Sequence, residues 1–172
     1  MRAQELSARL GFERSCLDED GRLLHILAAR RGIARAGEIG TGVGVGAAWI
    51  VSALDPAVPF VTVEIDAARA AAATELFADD PNVRVLTGDW RERLPPEAPF
   101  DFLFVDGSDA KDDPDAVLGL LTPGGMVVMD DFSFDPDLPD PRRDAWLGHP
   151  SFGATQIWVN LRRRSVLAVR QG

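Results

Sequence analysis

Five short apolar runs, ARAGEI, FVTVE, NVRVLT, DFLFVD and MVVMD, recur along the chain, and what separates them constrains the fold most. GAAWIVSAL, a helix pattern, follows the first run. The alanine-rich AARAAAATELFA follows the second, with Asp66 placed to N-cap it. A helix near DDPDAVLGLL and the turn residues TPGG precede the fifth. DFLFVD is apolar almost throughout, as in a parallel strand covered on both faces. Strand–helix units in this order predict a doubly wound α/β fold: a mostly parallel sheet with right-handed crossovers and helices on both faces. Near the end, TQIWVN and SVLAV lie too close together for a crossover helix, so they should pair antiparallel. The expectation is a Rossmann-like, seven-stranded sheet with an antiparallel C-terminal strand. The first thirty residues read as helices. In LDEDGRLLHILAARRG, Leu24, Leu27 and Ala28 share a face, acids open the stretch, and Arg30, Arg31 and Gly32 close it.

With no repeat or low-complexity tract, the 172 residues read as one domain. Its parts are N-terminal helices (1–32), a core (33–131), a connector or lid (132–150) and a C-terminal strand pair (151–172). The lid reading rests on the proline-rich SFDPDLPDPRRDAWLGHP, which follows the carboxyl end of a central strand, where open α/β sheets bind ligands. A net charge of −9 argues against nucleic-acid and anionic-membrane partners. The N-terminal stretch lacks an apolar run fit for a signal or a membrane span. The single cysteine, Cys16, fits a reducing compartment, so a cytoplasmic protein is expected. Against seventeen arginines there is one lysine, Lys111, whose amine, unlike a guanidinium, can give up its proton.

The first strand runs into AGEIGTGVGVGA, where glycines stand at every second position from Gly40 to Gly46. Glycines at a strand-to-helix turn let the backbone approach a ligand. GVGVGA satisfies G-x-G-x-x-A, with Glu64 at the distance expected for a dinucleotide site. EIGTGVG, from Glu38 to Gly44, also has the E/D-x-G-x-G-x-G form that S-adenosylmethionine sites favour. An acid closing a buried strand is costly without polar partners, and a ligand with an ammonium group supplies one. GDW, with Asp89 and Trp90, suits an adenine amino group and its ring face. The balance favours S-adenosylmethionine over NAD(H).

Together these motifs resemble the class I S-adenosylmethionine-dependent methyltransferases from residue 35 to about 170. Within that class CLDEDGRLLHIL, VTVEID, FLFVDGSDAK and VVMDDF are similar to segments of the cation-dependent O-methyltransferases, the catechol and caffeoyl-coenzyme A enzymes. The resemblance implies a cofactor site of Glu38, Gly40, Gly42, Gly44, Glu64, Ile65, Asp89, Trp90 and Asp106. Gly40 and Gly42 would line the methionine end, Glu64 would hold the ribose, and Asp89 and Trp90 would bracket the adenine. It also implies that Asp106, Asp130 and Asp131 converge on Mg²⁺ or another divalent cation, and that Lys111 takes the acceptor's proton beside Asp106.

A hydroxyl bound to Mg²⁺ ionises more easily and is oriented for attack, which gives three converging carboxylates a purpose. This sequence departs from the family at several points. Lys111 lies five residues after Asp106 rather than three, Gly46 replaces a serine, and Asp131 replaces an asparagine. The short N-terminal part weakens the homodimer that the family otherwise suggests. Phe132, Phe134 and Trp146 are candidates for an apolar acceptor pocket, or for a flap packed on the core. The expected activity is O-methylation of a small molecule, with or without metal. The alternatives are an NAD(P)-dependent oxidoreductase and a non-catalytic S-adenosylmethionine-binding module.

Overall fold

A computed structural model describes residues 2–12, 16–107, 109–132, 138–161 and 163–172. Two helices, α1 (Arg2–Leu10) and α2 (Asp18–Ala28), precede strand β1 (Ala36–Ile39). Strand–helix units follow: α3 (Val45–Val51), β2 (Phe60–Glu64), α4 (Ala67–Leu76), β3 (Val83–Thr87), α5 (Trp90–Arg93), β4 (Phe100–Val105), α6 (Pro114–Leu118) and β5 (Leu121–Phe132). Helix α7 (Pro141–Leu147) leads to the hairpin of β6 (Phe152–Asn160) and β7 (Arg163–Arg170). The seven strands form one sheet in the order β3-β2-β1-β4-β5-β7-β6. β1 to β5 are parallel, and β7 runs antiparallel to both neighbours, as the short terminal connection required.

Side-chain alternation divides the core between the two faces. Leu103, Val105, Val127, Met129, Val166 and Ala168 pack with Trp146 and Phe152 on one side. Phe102, Phe104 and Val128 pack with Leu24, Ala28, Val45, Ala47 and Ile50 on the other. Asp66 caps α4 as expected, accepting from the N–H groups of Ala68 and Arg69 at 2.9 Å.

Two details differ from the sequence reading. TPGG does not precede the fifth strand as a free turn but lies inside β5, where the pairing to β4 shifts register between Phe100 and Phe102. The stretch expected as a connector or lid contains α7, whose Trp146 is fully buried in the core. Trp146 therefore acts as a core residue, as in the flap alternative, while Phe132 packs on the same core and also edges a second cavity of about 370 Å³. Phe134 lies outside the described residues.

Candidate active site

Parallel strands bring their carboxyl ends to one edge, and the acids expected to function close four of them. Glu38 lies within β1 and Glu64 ends β2. Val105 pairs with Met129, so Asp106, just past the end of β4, and Asp130, within β5, stand side by side on adjacent strands. Between them and the glycine loop lies a cavity of about 630 Å³. Its walls include Glu38, Gly40, Gly42, Glu64, Ile65, Asp89, Trp90, Asp106, Lys111, Asp130 and Asp131. Gly44 is the exception among the expected site residues. It N-caps α3 at φ +92°, and a Cβ there would meet Leu76 and Phe77. It shapes the turn; it is not on the cavity wall.

Glu38 is 1 % exposed and accepts a 2.7 Å hydrogen bond from Thr62 Oγ1. Burial, above all, raises its pKa well above the carboxylate range; Asp106, Glu64 and Asp130 add to this while the Thr62 bond opposes it. A Cβ on Gly46 would come within 2.6 Å of Glu38 Oε1, so the glycine in place of the family's serine makes room for the acid. Glu64 ties the loop to β2. Its Oε2 accepts from the Gly42 N–H at 2.8 Å. Its Oε1 accepts from the Asp66 N–H at 2.9 Å and from Arg69 Nη2 at 2.8 Å. Asp89 caps α5 through Oδ1. Trp90 is 5 % exposed, and its indole N–H donates to Asp109 Oδ2 at 2.9 Å.

On the β4–β5 side the side-chain carboxylate oxygens of Asp106, Asp130 and Asp131 lie within 4.8 Å of one another. Lys111, 4 % exposed, is among them: Nζ stands 2.9 Å from Asp130 Oδ1 and 3.9 Å from Asp106 Oδ1. Its carbonyl accepts from Trp146 Nε1 at 2.9 Å, so the packed helix α7 holds the lysine's loop. Asp131 adopts φ +59° and pairs with Arg163. A non-glycine residue in the left-handed region stores strain of the kind that collects at functional sites. Burial, and then the charge of Asp130, drive the pKa of Asp106 up, against the pull of Lys111. Behind this group Asp20 is 2 % exposed and accepts from Ser165 Oγ at 3.1 Å. Burial and Asp130 push its pKa up to about 6.

Sequence reasoning missed Arg69 and Arg163 as partners of site acids and Asp109 as the partner of Trp90. Arg69, five residues after Glu64 at the start of α4, was open to prediction; Arg163, thirty-two residues from Asp131, was not. Phe12 and Cys16 also line the cavity.

In comparisons with known proteins, residues 38–132 match the family model described as a methyltransferase domain. A Mycobacteroides abscessus protein with a provisional O-methyltransferase name is 30% identical over 135 residues, covering 70% of this chain and 62% of its own. A protein-L-isoaspartate O-methyltransferase of Dinoroseobacter shibae is 42% identical over 92 residues, covering 54% of this chain and 42% of its own. This chain thus spans less than two thirds of either relative's length. Among solved structures, the O-methyltransferase TomG of Streptomyces achromogenes, involved in tomaymycin synthesis and in complex with S-adenosylmethionine, is similar at 28% identity. The superposition has a TM-score of 0.82 and covers 99% of this chain and 88% of that one.

Proposed function

The chain belongs to the methyltransferase domain family, and on that premise we propose that it is an S-adenosylmethionine-dependent O-methyltransferase of a small-molecule hydroxyl. The carrying observation is that one cavity joins the glycine loop and its acids to the group of Asp106, Lys111 and Asp130. S-adenosylmethionine would supply an electrophilic methyl group, which passes in line to the acceptor oxygen as the carbon–sulfur bond breaks. Glu38 is the buried carboxylate placed to face a cationic methionine end, with Gly40 and Gly42 beside it. Glu64 and Asp89 face the ribose and adenine ends, and Ile65 and Trp90 offer apolar surface there. Glu64 would exchange its Arg69 contact for ribose hydroxyls. At the other end Lys111 Nζ passes a proton to Asp130 Oδ1, 2.9 Å away, and the amine so formed takes the acceptor hydroxyl's proton as the oxygen attacks.

The three aspartates fit a hard, oxygen-ligated cation in donor type and spacing. Held by Asp106, Asp130 and Asp131, a divalent cation would ionise and orient the acceptor hydroxyl. A second, metal-independent reading has its own support: Lys111 and Arg163 already give Asp130 and Asp131 positive partners. Among the described residues no helix is long and apolar enough to cross a membrane, and the lone cysteine favours a cytoplasmic location.

The test is isothermal titration of S-adenosylmethionine and S-adenosylhomocysteine, first with Mg²⁺ and then with EDTA, followed by turnover with catechol-type acceptors. Micromolar binding with turnover supports the proposal, and EDTA sensitivity decides between its two forms. Absence of binding by either ligand would sink it. Binding without turnover on any hydroxyl would favour a non-catalytic module.

A further inference from the structure

The middle residue of FVTVE is a threonine in a strand buried on both faces, and Thr62 itself is fully buried. Valine has the same shape and would fill the same space, so the hydroxyl has to be accounted for by its partners. Thr62 stands in register with Glu38 on the neighbouring strand. Its Oγ1 donates to Glu38 Oε2 at 2.7 Å and lies 2.5 Å from Thr41 Oγ1. Thr41 is 4 % exposed and belongs to the glycine loop, where its carbonyl accepts from the Gly44 N–H at 2.9 Å. The three side chains form one buried chain from β1 through β2 to the loop. Its two ends, Glu38 and Thr41, both line the larger cavity.

A threonine hydroxyl has one proton to give, and an ionised carboxylate only accepts. Thr62 therefore spends its proton on Glu38 and takes that of Thr41 in turn, so every donor of the chain runs toward the acid. Glu38 Oε2 is thereby occupied. Oε1 lies beside Gly46, where a Cβ would come within 2.6 Å of it, and Gly46 is itself on the cavity wall. Burial and the charges of Asp106, Glu64 and Asp130 oppose the ionisation of Glu38, and the Thr62 bond favours it. A cationic group of a ligand at Oε1 completes such a site.

We propose that Thr62 and Thr41 are positioning residues for the cofactor's amino-acid end: their hydroxyls hold one oxygen of Glu38 so that the other receives the ammonium group. Thr62 is off the cavity wall and acts through Glu38. Because Thr41 belongs to the glycine loop, the acid and the loop are set as one unit. The inference rests on the reading of this cavity as an S-adenosylmethionine site.

The experiment titrates the full chain and its variants with S-adenosylhomocysteine and, separately, with 5′-methylthioadenosine, which keeps the adenosine and the sulfur but lacks the amino-acid part. Thr62→Val keeps the shape and removes the hydroxyl. It should weaken S-adenosylhomocysteine about tenfold and 5′-methylthioadenosine less than about twofold. Thr62→Ser restores the hydroxyl and should bring S-adenosylhomocysteine back to within about threefold of wild type. Thr41→Val leaves Thr62 bonded to Glu38. It should show the same selectivity with a smaller loss, and it serves if Thr62→Val does not fold. Equal losses for the two ligands, no loss in a folded Thr62→Val, or a serine variant as weak as the valine would overturn the proposal and leave the cofactor reading standing. So would a wild-type chain that binds S-adenosylhomocysteine no more tightly than 5′-methylthioadenosine. A wild-type chain that binds neither would sink the cofactor reading, and the proposal with it.

Discussion

On the β2 side of the cavity, Glu64 is held by the backbone N–H groups of Gly42 and Asp66 and by Arg69, all within or next to the loops that end β1 and β2. On the β4–β5 side, Asp130 is held by Lys111 and Asp131 by Arg163, cations brought in from other parts of the chain. The first arrangement is mostly neutral donors fixed by main-chain geometry. The second is charge set against charge on side chains that can exchange partners. The contrast suits a cofactor pocket that must have one shape and an acceptor pocket that must release and accept protons.

Four variants test that division. Lys111→Arg keeps a positive charge opposite Asp130 but removes the amine. Turnover should fall by about 10²–10⁴, while S-adenosylhomocysteine affinity, read by titration calorimetry, changes less than about threefold. A comparable loss of affinity would show that the two sides are not separable. Asp20→Asn probes the acid behind the acceptor side. Its folded-state pKa of about 6 stands above the ordinary 3.8, so wild-type stability is complete below 3.8 and declines as pH rises through about 6. The asparagine still accepts from Ser165, and at pH 8 it should raise unfolding free energy by up to about 3 kcal/mol, the gain vanishing near pH 4. Urea denaturation across pH checks this, and a gain independent of pH would contradict it. On the cofactor side, Gly46→Ser sets a Cβ 2.6 Å from Glu38 Oε1. It should cost about 1–3 kcal/mol in thermal unfolding and weaken S-adenosylmethionine about tenfold. Arg69→Met should matter least. The pair with Glu64 is partly exposed, and its removal should cost at most about 1 kcal/mol. A large effect would make Arg69, not the backbone, the anchor of Glu64.

The same division explains what could be read from the sequence. The parallel strands, the antiparallel terminal pair, the Asp66 cap and the acids at the strand tips follow from local patterns, and the structure has them where expected. Gly44 lies off the cavity wall, which glycine spacing could not tell because it does not say which face of a turn a residue takes; here Leu76 and Phe77 fill the space beside it. Trp146 was left between a pocket wall and a flap packed on the core, because proline-rich composition hides the two-turn helix that draws its indole into the core. Lys111 was found by its rarity, yet its burial among the acids depends on Trp146 capturing its carbonyl from thirty-five residues away.

Strand β7 begins with consecutive residues that serve three places: Arg163 goes to Asp131, Arg164 to Gln156 and Ser165 to Asp20. Because successive residues of a strand face opposite ways, changing the length of the β6–β7 turn by one residue would turn all three away from their partners together. For anyone grafting a new acceptor preference onto this scaffold, the hairpin's length is the dimension to leave alone, and the chemistry of its side chains the one to vary.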